Sequence, residues 1–96
     1  MSVTVALLKL QLNVDFDTDD DLLAHKIAAA EEWIGDYIGK PLVDFDPVPA
    51  TLTEAVLQLA ASWYENREAV VIGAGANEVP FGVKALIRPY WELERL

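Results

Sequence analysis

The chain contains no cysteine. That excludes a disulfide framework, a thiolate zinc site and a cysteine nucleophile, and it fits a reducing compartment. Only one histidine, His25, is present, so no second imidazole can share a metal with it, and alone on a helix it reads as a surface residue. No apolar run approaches the ~20 residues that a membrane-spanning helix requires. Met1-Ser2-Val3-Thr4 lacks the basic stretch that opens a signal peptide. A soluble protein, intracellular when made, is expected. Positive charge is scarce as well: seven Lys and Arg stand against 16 Asp and Glu, a net charge of −9. Phosphate contacts need clustered Lys and Arg, so binding to a nucleic-acid backbone is disfavoured.

What is present is apolar. Ninety-six residues that are 53% hydrophobic, with a mean hydropathy of +0.22, make one domain over residues 1–96 with a single modest core. The acidity is uneven. Residues 1–40 hold Lys9, Lys26 and Lys40 against eight acids, residues 41–69 hold Arg67 against five, and residues 70–96 hold three of each sign. The negative field therefore belongs to the first two-thirds. Such a field keeps a protein soluble and steers basic partners toward it.

The periodicity is helical. Thr4 can cap a short first helix with Val5, Leu8 and Leu12 on one stripe and Lys9 on the other. An acidic loop from Asn13 to Asp21 follows, with Thr18 or Asp19 as the next N-cap and Asp20 and Asp21 at the positive end of the helix dipole. Leu23, Ile27, Ala30, Ile34 and Tyr37 or Ile38 then mark one buried face of a second helix. Gly39-Lys40-Pro41 stops it. Residues 41–49, with Pro41, Pro47 and Pro49, read as a stiff extended linker, and Pro49 suits the start of a third helix. There Leu52, Val56, Leu59 and Trp63 keep the same rhythm to about Glu68. Val70-Val71-Ile72, the Gly73–Asn77 tip and Glu78–Phe81 are compatible with a β-hairpin or a long loop. A last helix is expected from Gly82 to Arg88, ended or kinked by Pro89, before the short amphipathic stretch Tyr90–Leu96. The expected class is mainly α: a small bundle of three to four helices with a long loop or β-hairpin before the last helix.

Candidate chemistry fails residue by residue. Asp15, Asp17 and Asp19 match positions 1, 3 and 5 of a calcium loop, but Asp20 stands where the turn needs Gly and Lys26 where a bidentate Glu is needed. Glu31-Glu32 offers paired carboxylates, yet acid–base work needs one member buried, and the pattern buries none. Gly73-Ala74-Gly75 lacks the G-K-[ST] ending of a phosphate loop. No catalytic, metal or cofactor site is expected.

Interaction is the better reading. Trp63 and Tyr64 lie ~100° apart on a helix, so both cannot point straight into one core. With Arg67 they have the composition of an interface hot spot. Val70, Val71, Ile72, Val79 and Phe81 put more apolar surface on one segment than a small domain can absorb, and leftover apolar patches mark protein contacts. Trp63, Tyr64, Arg67, Val70, Val71, Ile72, Val79 and Phe81 are thus the candidate contact residues.

Several blocks carry a family likeness: Asp-Leu-Leu-x-x-x-Ile-x-Ala-Ala (Asp21 to Ala30), Tyr-Ile-Gly-Lys-Pro-Leu (Tyr37 to Leu42), Trp-Tyr-Glu-Asn-Arg-Glu-Ala (Trp63 to Ala69) and Val-Pro-Phe-Gly-Val-Lys-Ala-Leu-Ile-x-Pro-Tyr (Val79 to Tyr90). In this order they resemble the small head–tail connector (adaptor) proteins of long-tailed bacteriophages and prophages, across almost the whole chain. The last two blocks are the specific ones.

The resemblance implies a mainly helical, non-enzymatic virion protein without cofactors, made in the bacterial host cytoplasm and resident at the head–tail junction. Its implied partners are further copies in a ring homo-oligomer, the portal protein after DNA packaging, and the next connector or tail protein, with no membrane. DNA would pass the channel without specific binding, and an acidic lumen suits that passage because it repels the phosphate backbone. The alternative is a small acidic regulator (a DNA mimic, antitoxin or anti-repressor) that masks a basic protein. It would need regularly spaced exposed carboxylates, whereas the acids here cluster at caps and loops.

Overall fold

The computed structural model describes residues 3–65 and 80–96, apart from the Phe81 side chain. The described residues form four α-helices: α1 (Val5–Leu12), α2 (Asp20–Ile38), α3 (Ala50–Glu65) and α4 (Phe81–Leu93). There is no strand among them, and the expected hairpin or loop over Val70–Val79 lies outside the described residues. The class is mainly α, as expected.

Local chemistry sets the helix ends. Thr4 is extended (φ −113°) and its Oγ1 accepts the Leu7 N–H at 3.1 Å, satisfying one of the orphan donors that open α1. Asn13 closes α1 in the left-handed region (φ 64°), which Asn tolerates because its short polar side chain bonds locally. Gly39 does the same for α2 at φ 93°, with its N–H on the Gly35 carbonyl. Both the stop at Gly39 and the cap at Thr4 follow the sequence reading.

The four helices meet in one apolar cluster. Leu23, Ile27, Ala30, Ile34 and Ile38 of α2 are buried, so the last core position is Ile38 and Tyr37 is half-buried beside it. Leu52, Val56 and Leu59 of α3 are fully buried, and Leu8, Val83 and Ile87 reach the same cluster from α1 and α4. Helix α3 is central and touches each of the other three. Each fully buried aliphatic side chain contributes about 1.5–3 kcal/mol, which is how helices this short stay folded.

Two expectations need correction. Residues 41–49 are not an extended linker: Leu42–Asp44 form a 3-10 turn, Leu42 is buried, and Phe45 and Val48 pack on the core edge. The Asp46–Pro47 peptide bond is cis. Three prolines obscured an apolar segment that folds back on α2. Of the two outcomes expected at Pro89, an end or a kink, the end does not occur: helix α4 runs through it to Leu93. Proline removes the N–H that would serve the Ala85 carbonyl, yet both residues are exposed, so water can take that place. Tyr90 packs on the core, with its ring edge-on to Phe45 at 6.0 Å. The Arg95 guanidinium stacks on Trp91 at 4.7 Å and donates to the Ile38 carbonyl at 3.3 Å. These contacts hold the residues after Pro89, which alone would be too short to stay helical.

Candidate assembly surface

The end of α3 separates the two aromatic candidates. Tyr64 is buried, and its hydroxyl donates to Asp19 Oδ2 at 2.5 Å, across 45 residues of chain. Asp19 sits at the N-cap of α2 but makes no side-chain cap bond there; its carboxylate is engaged in this tertiary contact instead. Trp63 is half-buried, and its indole Nε1–H is enclosed with no hydrogen-bond partner among the described residues. Tyr64 is therefore used inside the chain, while Trp63 keeps both exposed ring surface and an unsatisfied donor. An enclosed donor without a partner costs about 1–3 kcal/mol. Arg67, Val70, Val71, Ile72 and Val79, and the Phe81 side chain, lie outside the described residues.

The acidic loop is held by one lysine. Lys9 Nζ lies 2.7 Å from Asp17 and 2.9 Å from Asp20, pinning the loop between α1 and α2. These hydrogen bonds raise the Lys9 pKa and lower that of Asp17. Of the three carboxylates at calcium-loop positions, Asp17 is thus turned onto an ammonium, alongside Asp20. Among the described residues no set of three His, Cys, Asp or Glu side chains converges on a metal position.

A second surface escaped the sequence reading. The C-terminal half of α2 and residues 40–48 enclose a groove of about 630 Å³. Its carboxylate wall is Glu31, Glu32 and Asp36, and its apolar side is Val43, Phe45 and Val48. Val43 is 82% exposed, and Lys40 Nζ lies over the Phe45 ring at 4.4 Å. The available signal was three apolar residues within a proline-rich stretch, too many for a solvated linker.

Burial pushes the Glu31 carboxyl above its ordinary range. A raised pKa means that the folded chain disfavours the ionised form. The penalty is fully present above that raised value and vanishes once pH falls below the ordinary carboxylate pKa of ~4.3. Glu31→Gln is therefore expected to raise the melting temperature slightly at pH 7 and to leave it unchanged at pH 3. Paired thermal melts at the two pH values check this; a gain that persists at pH 3 would contradict the burial account.

None of this geometry assembles a nucleophile, base and oxyanion donor; it presents surface. A family model described as phage gp6-like head-tail connector protein matches residues 2–91. The chain belongs to this family. No curated protein and no solved structure matches the chain. Membership in the connector family makes it a structural phage protein of the virion that contacts other virion proteins. Among the described residues no helix is long and apolar enough to cross a membrane.

Proposed function

We propose that this connector-family chain is one subunit of a ring that docks on the portal after DNA packaging and joins the head to the next connector or tail protein. The observation that carries this reading is the family match over residues 2–91. The surface is consistent with it: Trp63 is only half-buried, and Val43 and Leu93 stand exposed at 82% and 61%. A closed ring buries two faces of every subunit, and so covers apolar area that a lone 96-residue chain leaves in water. The net charge of −9 suits a channel through which DNA slides without adhering. In this role the chain carries no catalytic activity.

Trp63, Arg67, Val70, Val71, Ile72, Val79 and Phe81 are the proposed contact residues. Tyr64, the remaining candidate, is buried, and its hydroxyl is bonded to Asp19. Size-exclusion chromatography with light scattering, with and without portal, tests the reading. Wild-type chain should form a discrete closed oligomer, alone or on portal, and Val71→Ser with Ile72→Ser should abolish it. A chain that stays monomeric at every concentration, with and without portal, refutes the proposal.

A further inference from the structure

The C-terminal half of α2 and the part of α4 before Glu92 carry opposite charge on their outward faces. Between Ala28 and Gly39 the sequence holds three acids, Glu31, Glu32 and Asp36, and no cation. Between Pro80 and Trp91 it holds two cations, Lys84 and Arg88, and no acid. Glu32 and Asp36 are exposed at i and i+4 on α2, and Lys84 and Arg88 are exposed at i and i+4 on α4. Residues so spaced lie one above the other on a helix, ~5–6 Å apart, so the two pairs can meet in register.

Within one chain these charges are little used. Neither Glu32 nor Asp36 has a salt-bridge partner among the described residues, and neither does Lys84. Arg88 has only an exposed contact to Glu92 at 3.6 Å, the kind of pair worth almost nothing in water. Both faces also carry small residues, Ala28 on α2 and Ala85 on α4, each exposed. Small residues let two helices approach to the 8–10 Å of ordinary packing. Beside Glu32 and Asp36 lies the groove with Val43, Phe45 and Val48, which gives the acidic face an apolar border.

We infer that Glu32 and Asp36 of one copy receive Lys84 and Arg88 of the next, the α4 face of each copy seating against the α2 face and groove of its neighbour. The occupant is a second copy of this chain, and the inference rests on the ring reading above. A chain of net charge −9 repels its own copies, so association requires a place where the sign reverses. Residues 80–91 are that place. The two faces differ, so the contact is heterologous, and each copy offers both halves. Repetition of such a contact generates rings when the rotation closes.

Charge reversal tests the inference. E32K/D36K and K84E/R88E change only exposed side chains, and circular dichroism should show unchanged helix content in both. Each variant alone then brings like charges together, and the concentration at half-assembly should rise about tenfold or more, on portal if portal is required. Mixing the two variants should restore assembly, because the acidic faces of one then meet the basic faces of the other. The quadruple variant should assemble by itself. If wild type assembles while the double variants match it, the inference fails and the ring reading stands. It fails equally if neither mixing nor the quadruple variant restores assembly, or if E32K/D36K self-assembles normally but no longer binds portal. A wild-type chain monomeric with and without portal removes the ring reading and this contact together.

Discussion

Replacing Leu59 by Ala is expected to lower the unfolding free energy by about 2–5 kcal/mol. Leu59 is fully buried on α3, the helix that touches the other three. Truncation there removes apolar burial and leaves a cavity that four elements would have to collapse together. A domain of this size holds roughly 5–14 kcal/mol in total, so the loss runs from about a seventh of its stability to the whole of it. Urea denaturation should show a lower midpoint at an unchanged slope. Leu10→Ala is the internal control, because Leu10 is 78% exposed and its loss should stay within about 0.5 kcal/mol. Equal effects from the two substitutions would overturn the placement of α3 at the centre.

Gly35→Leu is the second large effect, and it acts on backbone. Gly35 is buried in α2, and its carbonyl accepts from both Gly39 and Lys40. A Cβ built there would lie 3.3 Å from Pro41 Cα and 3.5 Å from the Lys40 carbonyl oxygen. Alanine is close to neutral: about 1 kcal/mol of helix propensity is gained and the tight contact offsets it. Leucine adds three more carbon atoms against backbone that has no rotamer to escape into. The chain at 40–42 must shift, and Leu42 leaves the core with it. A cost of about 1–3 kcal/mol is expected, lowering the melting temperature by roughly 4–8 °C for each kcal/mol. The groove beside Val43 is built on the same segment, so Gly35→Leu should also weaken assembly while Gly35→Ala leaves it intact.

Much of this fold is legible along the chain because its determinants are local. The face of α2 follows from the spacing of Leu23, Ile27, Ala30, Ile34 and Ile38, and its end follows from a glycine that can hold φ 93°. Thr4 caps α1 through a hydroxyl three residues from its donor. What stayed hidden depends on residues distant in sequence. Nothing near Asp19 indicates that its carboxylate will meet Tyr64 rather than cap its own helix. Pro89 obeys the local rule against proline in a helix until Phe45, Ile38 and Trp91 are brought beside the turn that follows it. The groove was missed for the same reason, since its two sides come from α2 and from a segment whose prolines mask its apolar side chains.

The family is carried by sequence likeness over nearly the entire chain, while the contact surfaces are carried by exposure and charge. The two are logically separate. Charge reversal on α2 and α4 and the Val71/Ile72 substitutions act on separate surfaces of the chain.

The Tyr64 hydroxyl bond to Asp19 has a mechanical consequence. Residue 64 is the last buried position before the described part of α3 ends, and an ordinary helix end would fray under tension. Here residue 64 is moored to the start of α2, which Lys9 in turn moors to α1 through Asp20. A pull on the chain beyond Glu65 would be shared by three helices at once, so the bundle would bear load as a truss.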